Sequence, residues 1–133
     1  MTPELSYLFG GGVIMFAIII IQVAYLPLSK GLAWGLSARD EAVDGNVLDG
    51  RIARTLNNHI ESMVLFATAV LVAHAAGIST EMTALGAMLY FWARLIYVPI
   101  YLLGLPYLRT ISFLTGAIGT VLIYWEIAAA INA

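Results

Sequence analysis

The chain has 133 residues, 62% of them hydrophobic and 11% charged, with a formal net charge of −2 and no cysteine. Soluble domains are about half apolar and a quarter charged, so this composition, with a mean hydropathy of +0.93, is that of an integral membrane protein. The lack of cysteine excludes disulfides, thiolate metal sites and a protein-borne thiol nucleophile, and the acidic balance excludes a basic nucleic-acid surface.

At this length the chain is expected to be one transmembrane domain, residues 1–133, with room for four spans if their connections are short. The first apolar run, from about Leu5 to Leu28, is interrupted only by Gln22 and predicts a helix closing at Pro27 and Lys30. Its Met-Thr-Pro-Glu start has no basic flank, so it reads as a span rather than a removable signal. Lys30 to Gly50 holds Arg39, Asp40, Glu41, Asp44, Asp49 and four glycines, and is predicted to be the one long aqueous loop.

The second helix is predicted over 51–76, capped by Asp49 and stopped by Gly77. The third is predicted over 80–103, with a capping residue in "STEM" and Pro99 near its end. "GLPYLR" then makes a tight connection, and the fourth helix covers 108–130, with Gly116 and Gly119 as close-packing positions and Trp125 as an interface anchor. The expected fold is an all-α membrane protein, an antiparallel four-transmembrane-helix bundle. Lys30, Arg39, Arg51 and Arg54 flank the first connection and Arg109 the third. Cationic loops stay in the cytoplasm, so loops one and three are predicted cytoplasmic and both termini on the far side.

Several polar groups then stand inside spans. Taking Arg51 as zero at about 100° per residue, Arg54 falls at roughly 300°, Asn58 at roughly 340° and Glu61 at roughly 280°, a single stripe. On the third helix Tyr90, Arg94, Tyr97 and Tyr101 share another. Charges inside a span cost a few kcal/mol each unless they face the bundle interior and pair, so they are functional candidates. Glu61 and Arg94 lie at similar depth and could form a structural ion pair, with the tyrosines as anchors. One carboxylate cannot neutralise Arg51, Arg54, Arg94 and Arg109, however, and the surplus positive charge asks for an anion. His59 and His74 point to different faces without a third ligand, so no metal site is expected and both read as packing residues. Glu126 reads as a solvated or snorkelling carboxylate, and Gly10 to Gly12 as positions of close helix contact or local bending.

The stretch "RIARTLNNHIE" resembles the Arg-x-x-Arg-x-x-x-Asn-x-x-Glu pattern of the membrane-associated proteins in eicosanoid and glutathione metabolism, the MAPEG family. "ARLIYVPIYLLGLPYLR" is similar to that family's Arg-x-x-Tyr-x-x-x-Tyr segment leading to an arginine on helix four, and "WGLSARDEAVDG" looks like its bacterial members. The resemblance implies a homotrimer in the bacterial inner membrane, with glutathione as co-substrate bound between subunits and open to the cytosol. It implies that Arg54, Asn58 and Glu61 hold the glutathione backbone and charged ends, and that Tyr97 and Tyr101 line the site. Arg109 would be the catalytic residue beside the sulfur, and Arg51 and Arg94 would support the carboxylate contacts or the helix packing. The helix-one arginine of some animal members has no counterpart here beyond Lys30.

The residue types agree with that ligand. Glutathione has two carboxylates and one ammonium, which suit several arginines and one glutamate. A guanidinium beside a thiol of ordinary pKa near 8.5 favours the nucleophilic thiolate. The expected function is thiol activation for conjugation to a hydrophobic electrophile, or for reduction of a lipid hydroperoxide, with the apolar partner entering along helices one and four. The alternatives are a non-catalytic lipid-binding or scaffold member of the same fold and, ranked last, a small proton-coupled transporter using Glu61. Arginines around Glu61 would hold it ionised, which disfavours the last.

Overall fold

A computed structural model describes all 133 residues and contains five helices: α1 (Pro3–Lys30), α2 (Leu32–Leu36), α3 (Val47–Ala75), α4 (Glu81–Leu103) and α5 (Pro106–Ile131). The four long ones are each long and apolar enough to cross a membrane, and they form the expected antiparallel all-α bundle. α2 was not foreseen in the long loop.

The helix ends follow local chemistry. Thr2 caps α1, accepting from the Leu5 amide at 3.4 Å, and Pro3 occupies the first turn, where its missing N–H costs nothing. α1 continues past Pro27 to Lys30 and stops at Gly31, whose φ of 95° favours glycine. The expectation that Asp49 caps the next span is corrected. Asn46 is the cap, its side chain accepting from the Asp49 amide at 3.0 Å, while the Asp49 carboxylate accepts from the Asn46 amide at 2.9 Å. This reciprocal pair satisfies two amides that a helix start leaves free, so α3 begins at Val47 rather than near residue 51. Asp49 also accepts from Ser29 Oγ at 2.8 Å, which ties the start of α3 to the end of α1.

α4 opens on a Thr80–Thr83 capping box and ends at Gly104, in the left-handed region at φ 74°. α5 begins at Pro106, two residues before the expected start. The α4–α5 pair is the closest in the bundle. A Cβ on Gly86 or on Gly119 would lie 2.4 Å from the other's carbonyl oxygen, so the two backbones touch there. Around this contact Phe66 stacks on Tyr90, with ring centroids 3.8 Å apart, among buried Ala69, Val70, Ala73, Ala87 and Ile123.

The two ends of the bundle differ in charge. At the end with the termini, Glu4 is buried and accepts from Thr83 Oγ1 at 2.5 Å and Ser79 Oγ at 3.1 Å. Glu126, expected to be a solvated carboxylate, accepts there from Thr80 Oγ1 at 3.0 Å. These contacts pin α1 and α5 to the start of α4. The opposite end joins the first and third connections, where Arg51 Nη1 donates to the Leu102 carbonyl at 3.2 Å.

Candidate functional site

The long polar face of α3 meets the last turns of α4 and the first turns of α5 in a cavity of about 430 Å³. Its wall includes Arg54, Asn58 and Glu61 from α3, Tyr97 and Tyr101 from α4, and Arg109 from α5. All six were predicted from the sequence. Helical spacing explains the convergence: the α3 residues recur every three or four positions, Tyr97 and Tyr101 are four apart, and both stripes point into the same cleft.

The side chains also hold one another. Arg54 Nε donates to Tyr101 Oη at 3.0 Å, the Arg109 guanidinium lies 5.2 Å from the Tyr101 ring centre, and the Tyr97 and Tyr101 rings are 5.5 Å apart. The Tyr101 ring face gives Arg109, and the Tyr101 hydroxyl gives Arg54, partial compensation without consuming most of their N–H donors. Those donors remain for a ligand. Asn57, Thr110 and Phe113 complete the wall and were not predicted. Asn57 was legible, since it falls at roughly 240° on the α3 wheel, at the edge of the polar stripe.

Arg94 and Arg51 stand outside this cavity. Arg94 is 1% exposed, its guanidinium 4.3 Å from the Tyr97 ring centre, and its Nη2 donates to Asn58 Oδ1 at 2.8 Å. The conceivable Glu61–Arg94 ion pair does not form, because the Asn58 amide takes that position. Arg94 thereby orients Asn58 from behind. Arg51 is occupied with the Leu102 carbonyl at the end of α4.

A second, apolar cavity of about 300 Å³ continues from the first, sharing Asn58, Glu61 and Phe113. It runs toward the membrane interior between α3, α4 and α5, past Leu65, Gly116 and Val121, and Tyr124 lines it, its hydroxyl donating to the Leu65 carbonyl at 3.1 Å. The expected apolar route lay along the first and last spans; the apolar cavity has no wall from α1 and uses α3 and α5 instead. His59 is fully buried, with Nε2 3.1 Å from the Gly11 carbonyl oxygen, and links α3 to α1 away from both cavities.

A family model described as the MAPEG family matches residues 7–129, nearly the whole sequence. The chain belongs to the MAPEG family. It matches no curated protein and no solved structure. MAPEG membership together with four apolar spans makes this an integral, multi-pass membrane protein of a family associated with glutathione and eicosanoid metabolism. Within that MAPEG frame the connected polar and apolar cavities are the chemically distinctive feature of the chain.

Proposed function

We propose that this MAPEG protein is a glutathione-dependent membrane enzyme that activates the thiol for reaction with a hydrophobic partner. The observation that carries the reading is the single cavity in which Arg54, Asn58, Glu61, Tyr97, Tyr101 and Arg109 converge from three helices. Arg54 takes a glutathione carboxylate, Glu61 the ammonium, and Asn58 a backbone amide, with the tyrosines as walls. Arg109 lies beside the sulfur and stabilises the thiolate.

From there two outcomes share a first step. In conjugation the thiolate attacks an electrophilic carbon, an S–C bond forms, and the leaving group departs with its electron pair. In peroxide reduction the thiolate attacks the terminal oxygen of a lipid hydroperoxide, the O–O bond breaks, and the alkoxide takes up a proton to become an alcohol. The resulting glutathione sulfenic acid condenses with a second glutathione to give the disulfide and water. The apolar cavity adjoining Glu61 and Phe113 supplies room for the hydrophobic partner.

Arg54, Asn57 and Glu61 are exposed on a membrane-spanning helix. Lipid offers them no partners, which supports burial of this face against a second copy in a homotrimer. Every Lys and Arg except Arg94 belongs to the end with the first and third connections, which supports a cytoplasmic position for that end and for the cavity mouth.

The test is a glutathione titration of the purified protein beside Arg109→Ala and Glu61→Ala, read by binding and by thiolate absorbance. It is followed by assays with an aryl halide and with cumene hydroperoxide. Glu61→Ala is expected to weaken binding about ten- to a hundredfold, the worth of a charged hydrogen bond. Arg109→Ala is expected to keep binding and lose the thiolate signal. No saturable glutathione binding by the unmodified protein would leave the lipid-binding scaffold as the function.

A further inference from the structure

Next to the glutathione cavity, and sharing Arg54, Tyr101 and Arg109 with it, lies a smaller one of about 210 Å³, at the end of the bundle where α4 turns into α5. Its side chains include Arg51, Arg54 and Arg109, and no carboxylate lines it. We propose that this is a second anion site, taking a phosphate group that is either free or carried on a lipid headgroup. Arg54 and Arg109 also line the glutathione cavity, but the proposal is tested without glutathione and through Arg51, which that cavity lacks.

The site is built rather than incidental. Gly104, at φ 74°, lets the chain turn so tightly that an added Cβ would lie 2.6 Å from Arg51 Nη2, so the glycine makes the seat for that guanidinium. The Leu102 carbonyl fixes Arg51 Nη1 at 3.2 Å, and Tyr101 Oη fixes Arg54 Nε at 3.0 Å. The other N–H groups of the three guanidiniums make no hydrogen bonds within the chain, and they outnumber the acceptor positions of a single carboxylate. Four phosphate oxygens match them better, and arginine forks bind phosphate bidentately. Arg109 adds a second reason. It sits in the first turns of α5, which has no acidic residue in its first turn and no side-chain cap. A cation is misplaced at the positive end of a helix dipole unless an anion sits against it.

Arg51 belongs to this cavity and not to the glutathione cavity, which makes it the discriminating residue. Delipidated protein in detergent is titrated with inorganic phosphate by calorimetry in one arm. In the other, dioctanoyl phosphatidic acid binding is followed by native mass spectrometry. One saturable phosphate per subunit is expected in at least one arm, and the arm that shows it names the source. Arg51→Gln is expected to weaken that binding at least tenfold, whereas Arg39→Gln, the same charge change at the same end but outside the cavity, leaves it within twofold. Leu105→Asp covers the case in which Arg51→Gln does not fold. Leu105 is the cap residue of α5, where aspartate favours the helix. Its carboxylate would occupy the arginines, so tenfold weaker phosphate binding is expected there as well. Absence of saturable binding in both arms, or equal losses from Arg51→Gln and Arg39→Gln, would overturn the proposal.

Discussion

Gly119→Ala adds one methyl group where α4 and α5 have no room for it. The new carbon would lie 2.4 Å from the Gly86 carbonyl oxygen and 2.9 Å from the Tyr90 amide nitrogen, both backbone atoms that cannot rotate aside. In a helix interior alanine is favoured over glycine by about 0.5–1 kcal/mol, and overpacking costs about 1–3 kcal/mol, at the upper end when the obstacle is backbone. The net expectation is a loss of about 1–2 kcal/mol. Two other glycines calibrate it. At Gly12 an added Cβ meets nothing within 4 Å, and at Gly116 its nearest neighbour is the Ala93 Cβ at an ordinary 3.5 Å. Both substitutions should therefore keep most of the helix gain, leaving Gly12→Ala about 2–3 kcal/mol more stable than Gly119→Ala. Unfolding in mixed micelles with increasing SDS, followed by far-ultraviolet circular dichroism, measures the series. If Gly119→Ala is as stable as Gly12→Ala, the close approach of α4 and α5 is refuted. With it would go the spacing that sets Tyr97 and Tyr101 opposite Arg109.

Three further outcomes are expected. Asn46→Ala removes the α3 cap and should lower stability by about 1 kcal/mol in the same unfolding assay, whereas Gly, which is tolerated at a cap, should cost only a few tenths. Thr83→Val leaves the buried Glu4 carboxylate without its 2.5 Å donor and should cost about 1–3 kcal/mol, more than Thr68→Val, whose exposed hydroxyl bonds only its own helix. Asn58→Leu removes both a cavity wall and the Arg94 partner at 2.8 Å, so glutathione affinity measured by calorimetry and stability measured by unfolding should fall together. Unchanged stability would show that Arg94 does not depend on that amide.

Much of the bundle was legible because a membrane restricts the choices. Runs of about twenty apolar residues that span lipid read as helices, since only a helix satisfies its backbone groups within one segment, and barrel strands are shorter and alternate in polarity. Helical spacing alone then places Arg54, Asn58 and Glu61 on one stripe. What was not legible depended on contacts between elements. Asp49 has the chemistry of a cap, and only the position of Asn46 three residues earlier, with Ser29 beside it, makes it the reciprocal partner instead. The partner of Arg94 was equally open. At that depth Asn58 and Glu61 are one helical turn apart on the same face, and no periodicity decides which of them reaches the guanidinium. Phe113 and the α3–α5 apolar cavity depend on how far two helices splay, a distance that sequence does not carry.

The pairing of Arg94 with an amide rather than a carboxylate bears on what Glu61 is for. An ion pair between them would have consumed the only acid on the cavity wall and left a site for anions alone. With Asn58 holding Arg94, Glu61 stands at the boundary shared by the polar and apolar cavities with its carboxylate unpaired. A ligand that satisfies this wall must then present a cation to Glu61 and an anion to Arg54 or Arg109 at once. A zwitterionic peptide does so, and a simple fatty acid, with one anionic head, leaves Glu61 without a partner near apolar surface. The discrimination comes from that unmet carboxylate: the charged hydrogen bond an ammonium makes to it, and a fatty acid does not, contributes about 1.5–3 kcal/mol. Glu61→Gln should therefore narrow the preference for glutathione over a des-amino analogue lacking the ammonium, and an unchanged ratio of the two affinities would remove Glu61 from ammonium recognition.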